Sequence, residues 1–212
     1  MPVFQPELPE TLDAAALMDK LSLDERLEES LFSGESCPEE NFKGMEALRC
    51  RFVKCDFSGC NFEQAGFRDA VFEGCDLSNC DFSKAAFQRV AFISCKLMGT
   101  DFVEAFLKHA RFSGCVGEYA NFADCKIQDT AFENCRLRSA AFVRCRLSAT
   151  FTLCELTGAT VEQTPLKDFD LRTCQLAGLQ ITLSDLRGAV VTPLQAAELA
   201  ALLGLVIRDQ DE

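Results

Sequence analysis

A phenylalanine or leucine returns at every fifth residue through most of the chain. The run reads Phe52, Phe57, Phe62, Phe67, Phe72, Leu77, Phe82, Phe87, Phe92, Leu97, Phe102, Leu107 and Phe112. After Gly117 it resumes as Phe122, Ile127, Phe132, Leu137, Phe142 and Leu147. A small residue stands two places before each large one, as at Cys50, Cys55, Cys60, Ala65 and Ala70. This spacing fits neither the period of a helix nor the alternation of a strand. A fixed repeat of this kind predicts a solenoid with the large residues turned inward.

The repeated unit, as in Cys55-Asp56-Phe57-Ser58-Gly59 and Cys80-Asp81-Phe82-Ser83-Lys84, resembles that of the pentapeptide repeat family over about residues 40 to 191. The resemblance implies an all-β solenoid, a right-handed quadrilateral β-helix in which four units make one square coil. Grouping positions by twenty then gives four ladders of similar shapes. One stacks Phe52, Phe72, Phe92, Phe112 and Phe132; the opposite one stacks Phe62, Phe82, Phe102, Phe122 and Phe142. At a strand spacing of about 4.8 Å, seven to eight coils predict a rod roughly 35 Å long.

Three positions break the pattern. Leu147 is followed by Phe151, where the spacing calls for position 152, and the run then continues from Leu156 to Val191. One residue is missing from the corner at 148–150, and an altered turn is expected there. Gly117 leaves a gap in its ladder, and Phe169 fills a slot meant for a small residue.

The ends lack the repeat, and an open solenoid end needs a cap or a partner. The chain therefore reads as three parts: an acidic helical N-terminal extension over 1–34, the β-helix over 35–191, and a C-terminal module over 192–212. In the first part, Thr11 predicts a helix over about 12–20. Ser22 with Glu25 has capping-box spacing for a second helix through about Ser30. In the last, Thr192-Pro193 predicts a helix start and Gly204 its stop. This ending resembles the C-terminal dimerisation module of the quinolone-resistance (Qnr-type) and mycobacterial fluoroquinolone-resistance members. The resemblance implies a homodimer joined end to end, with Leu194, Leu199, Leu202 and Leu203 as helix contacts and Val206-Ile207 as a strand. A cap within one monomer is the alternative.

Twelve of the thirteen cysteines occupy the small inward slot, and Cys37 lies outside it. A straight ladder of thiols does not make a closed tetrahedral metal cage. The odd count and the lack of a secretory leader pattern point to free thiols and a cytoplasmic protein. The single histidine, His109, falls in an outward slot with no nucleophile in a recognisable motif. Phosphate loops and zinc spacings are not found. These readings predict no enzyme, no cofactor, no metal, no membrane span and no small-molecule substrate.

What remains is binding. The resemblance implies an acidic DNA mimic that binds DNA gyrase, and also topoisomerase IV, and modulates it or protects it from quinolones or peptide toxins. Its contacts would be the outward acids Glu155, Glu162, Asp168, Asp170 and Asp185. The net charge of −12 fits mimicry and disfavours nucleic-acid binding. Its distribution fits less well. Residues 1–40 hold eleven acidic and two basic residues, whereas 41–191 hold eighteen of each. Aspartates before the large residue, such as Asp56, Asp76, Asp81 and Asp101, are expected to bond nearby backbone. A structural or adaptor module for another protein partner is the second reading.

Overall fold

The computed structural model describes residues 3–23 and 26–205. Its strands are β1 (Asp13–Ala14), β2 (Arg26–Glu28), β3 (Ser30–Ser33), β4 (Glu46–Leu48), β5 (Arg51–Val53), β6 (Gly66–Glu73), β7 (Ala86–Ile93), β8 (Phe106–Ser113), β9 (Lys126–Glu133), β10 (Ala141–Val143), β11 (Arg146–Thr152), β12 (Thr160–Glu162) and β13 (Gln180–Ile181). All pair in parallel. The main sheet runs β1-β3-β5-β6-β7-β8-β9-β11, with β2 and β4 joining at β6, and β10-β12-β13 form a second sheet. Registers advance by twenty residues, as in Phe72↔Phe92 and Phe92↔Phe112. The fold is thus an all-β quadrilateral β-helix.

The five-residue unit makes a square because each side ends in a corner two residues past the large one. Corner residues such as Asn79, Asp124 and Asn134 take positive φ. Eight-residue strands span two sides of the square. The other two sides are turns, closed by bonds such as Cys60 N–H to Phe57 O and Ala65 N–H to Phe62 O at 3.0 Å. The expected aspartate bonds are present: Asp56, Asp76, Asp81 and Asp101 each accept from the amide two residues on, at 2.8–3.1 Å.

All ten phenylalanines of the two expected ladders are buried. Phe32, Phe52, Phe72, Phe92, Phe112, Phe132 and Phe151 form one continuous stack, with ring centres 4.7–5.2 Å apart. The opposite stack meets it edge-on, as at Phe112–Phe122 with an 89° angle. At Gly117 the gap is filled from the next coil: Leu137 Cδ2 lies 3.1 Å from where a Cβ would stand.

The N-terminal segment departs from expectation. Among the described residues a single helix, α1 (Leu17–Leu23), stands in place of the one predicted over 12–20, and residues 26–30 are not helical. Residues 26–33 instead make the first coil, because Leu27 and Phe32 already carry the five-residue spacing and are fully buried. Glu25 lies outside the described residues. Leu17 enters the core beneath this coil, and β1 pairs with β3, so the start of the rod is covered. The residues before β1 lie along one corner: Glu7 N–H donates to Asp69 Oδ1 at 3.1 Å, and Phe4 meets the His109 ring edge-on at 4.6 Å.

The other end is closed by α2 (Leu183–Leu186) and α3 (Pro193–Leu199), followed by one 3-10 turn over Ala200–Leu203. Thr192 caps α3 in a capping box with Gln195, Pro193 stands in its first turn, and Gly204 follows with φ 72°. The buried Gln195 amide donates to Leu171 O and Cys174 O at 2.9 and 2.7 Å. It thereby satisfies carbonyls that the end of a solenoid would leave open.

Candidate functional site

Among the described residues the large inward side chains fill the interior, which leaves the outer faces for contacts. The thiols confirm that division. Cys75, Cys95 and Cys115 each donate to the carbonyl twenty-three residues earlier, at 3.3 Å. Thr100 does the same from the same slot at 2.8 Å. The thiols are therefore packing groups with a backbone acceptor, and all thirteen are free and buried. Cys37 is the exception of position rather than burial. It stands where Phe57 and Leu77 stand one and two coils later. Burial pushes Cys60 and Cys145 up to about 11, which leaves them protonated and poorly nucleophilic near neutrality. Among the described residues no group of three His, Cys, Asp or Glu is placed to hold a metal ion, and no helix is long and apolar enough to cross a membrane. His109 is half-buried under Phe4, and its Nδ1 has no hydrogen-bond partner.

The charges of the rod are arranged vertically. Acids and bases stack in successive coils and pair: Arg49 with Glu29, Arg89 with Asp69, Lys96 with Asp76, and Arg144 with Asp124, at 2.5–2.8 Å. Lys43 pairs with Glu63, Arg51 with Glu73, and Arg111 with Glu133. A rod neutral in sequence is therefore neutralised locally, and these ladders carry no continuous negative stripe.

The five candidate acids divide accordingly. Glu155 is bridged by Arg138, whose guanidinium holds its carboxyl below the usual range. Asp170 is bridged by Arg172 at 2.7 Å and pushed down to about 2. Glu162 and Asp168 are exposed. Asp185 corrects the expectation of an outward acid. It is buried, and its Oδ2 accepts from Gln163 N–H at 3.0 Å and from the Thr182 hydroxyl at 2.8 Å. Its five-residue slot is outward only in a regular coil, and α2 replaces that coil. Of the C-terminal candidates, Leu194 and Leu202 are exposed, whereas Leu199 is buried in the core and closes the rod within one chain. The Leu203 side chain, Val206 and Ile207 lie outside what the structure describes.

The feature that sequence reasoning only partly caught lies at the frame slip. No residue of Ser148–Thr150 takes positive φ, so β11 runs straight through the missing corner, and its register with β9 shifts between Leu147 and Ala149. The next coil pairs onward instead, through Leu166 N–H to Asp185 O and Leu171 N–H to Val190 O. An open recess of about 510 Å³ lies between that coil and β11.

Several solved structures are similar to this chain. A trypsin-treated form of QnrB1, a plasmid-mediated fluoroquinolone resistance protein, is 25% identical and has a TM-score of 0.44, covering 86% of this chain and 97% of its own. HetL, involved in heterocyst differentiation regulation in the cyanobacterium Nostoc, is 18% identical with a TM-score of 0.30, covering 82% and 90%. A thylakoid-lumen pentapeptide repeat protein of Arabidopsis thaliana is 21% identical with a TM-score of 0.34, covering 48% and 68%. At such scores these likenesses say nothing of what the chain binds. No curated protein matches it. The family described as pentapeptide repeat region matches residues 45–92 and 85–150, half of the sequence. With its coils, inward ladders and left-handed corners all in place, the chain belongs to the pentapeptide repeat family.

Proposed function

We propose that the protein is a non-enzymatic binding rod of the cytoplasm whose target is DNA gyrase, and also topoisomerase IV, which it modulates or shields from quinolones or toxins by occupying the surface that holds DNA. The observation that carries a binding role is the filled interior: chemistry is left only to long, regular outer faces. The net charge of −12 supports an acidic competitor for a basic groove. The contacts would be Glu162 and Asp168, both exposed, with Glu155 and Asp170 available where a partner's cations displace Arg138 and Arg172. A homodimer through the C-terminal end is part of this reading. It is supported by Leu194 at 72% exposure and by Leu202 and Leu205, also exposed, beyond the last coil.

The paired charge ladders favour the second reading, an adaptor for a different protein, since a DNA mimic needs unpaired negative charge. Gyrase supercoiling and quinolone-induced cleavage, titrated with the full chain, separate the two. Inhibition or protection at low micromolar concentration is expected. No effect on either reaction by a folded protein would leave the adaptor reading.

A further inference from the structure

The frame slip opens the rod on one side only. On the far side the coils stay joined, through Glu155↔Gln175 and β12 to β13. On the near side β11 pairs with β9 alone, and no backbone hydrogen bond joins residues 147–151 to the coil that follows. Two sequence features produce the split. The lost residue shortens the corner at 148–150, and Phe169 occupies a slot filled one and two coils earlier by Ala149 and Thr130. Its ring cannot lie within the wall. It tilts 37° against Phe151, with centres 6.2 Å apart, and holds the next coil away.

The result is a strand with one free edge, facing a recess with Leu147, Ala149 and Phe169 on its apolar side. A free parallel edge presents unpaired N–H and C=O groups at fixed spacing, which an extended segment can satisfy by adding as a strand. A recess of about 510 Å³ is large enough to take side chains as well. Its polar rim decides the occupant. Asp129, Asp168 and Asp170 stand there with one base, Lys167. Asp170 is held by Arg172, while Asp129 and Asp168 have no ion pair among the described residues. The chain's own final residues carry three acids, Asp209, Asp211 and Glu212, against one base, Arg208, a balance that this acidic rim disfavours.

We propose that the recess between β11 and residues 167–170 is a docking site for an extended peptide segment of a partner protein, paired to the β11 edge and carrying a lysine or arginine toward Asp129 and Asp168. This site shares Asp168 and Asp170 with the topoisomerase reading but does not rest on it, and it is tested without gyrase. A displayed library of random eight-residue peptides would be panned on the full chain. Enriched peptides would then be titrated by calorimetry and by amide chemical shifts.

The expected peptides carry Lys or Arg among β-branched residues and shift the amides of 147–152. They should lose roughly tenfold in affinity when Asp129→Asn and Asp168→Asn are combined, as the loss of charge-assisted bonds implies. Asparagine tolerates the positive φ of both corners, so this variant keeps the fold. The proposal is overturned by panning that enriches no peptide, by enriched peptides that are acidic or neutral, by shifts confined to other faces, or by undiminished binding to the double variant.

Discussion

Among the described residues Asp69 and Asp185 are the carboxylates that the fold hides, and they show how position within a coil outranks residue type. Asp69 sits at a left-handed corner, held by both arms of Arg89 at 2.5–2.6 Å and by the Glu7 amide. Burial raises its carboxyl, but these partners outweigh it and hold the group below its ordinary 3.8. A depressed folded value stabilises the protein above the unfolded value and loses that contribution as pH falls through the folded one. Asp69→Asn should therefore flatten the loss of stability below pH 3.8, measured by urea unfolding across pH. It should cost about 1–3 kcal/mol at neutral pH, because Arg89 loses its partner. Phe112→Ala removes a ring between two stacked neighbours and should cost about 3–5 kcal/mol in the same assay. A loss well under 1 kcal/mol would contradict that placement. The aspartate–amide bonds were legible in sequence because they span two residues. The thiol–carbonyl bonds were not, because a separation of twenty-three becomes a contact only when a coil closes.

At the scale of elements, α3 was readable from Thr192, Pro193 and Gly204, which are local signals. What the sequence did not separate is the two roles of its leucines. Leu199 closes the rod, and Leu194 and Leu202 face outward. Replacing both outward leucines by aspartate should convert an end-to-end dimer to monomer by light scattering, with little change in unfolding. A wild-type monomer would sink the dimer reading. The predicted helix over 22–30 failed because a five-residue ladder at Leu27 and Phe32 overrode a capping pattern, burial exceeding propensity. The frame slip gives a sharper test. Inserting one glycine between Ser148 and Ala149 restores the twenty-residue coil and a left-handed corner. Combined with Phe169→Ala, it should let β11 pair with the following coil. Slower amide exchange at 147–151 would show this, and unchanged exchange would assign the split to another cause.

At the scale of the molecule, the rod's neutrality is achieved pair by pair along its axis. Exposed pairs of this kind each contribute about 0–1 kcal/mol, so they tune surface charge more than stability. The excess of acid lies instead in residues 1–40, with eleven acidic residues against two basic ones. A chain lacking residues 1–12 should keep its far-UV spectrum and lose only about 1–2 kcal/mol of unfolding free energy. Collapse of the rod on that truncation would show that the segment is part of the core.

The sequence by itself determined the solenoid, its inward ladders, the placement of the thiols and the helix that ends it. Each follows from a spacing repeated about thirty times, which leaves one way to bury every large residue. The tertiary structure decided where the first coil starts, which acids are paired, that Asp185 turns inward, and that one lost residue with Phe169 parts two coils. Those outcomes depend on which side chains lie twenty residues apart in neighbouring coils, and that neighbourhood exists only once the chain has wound.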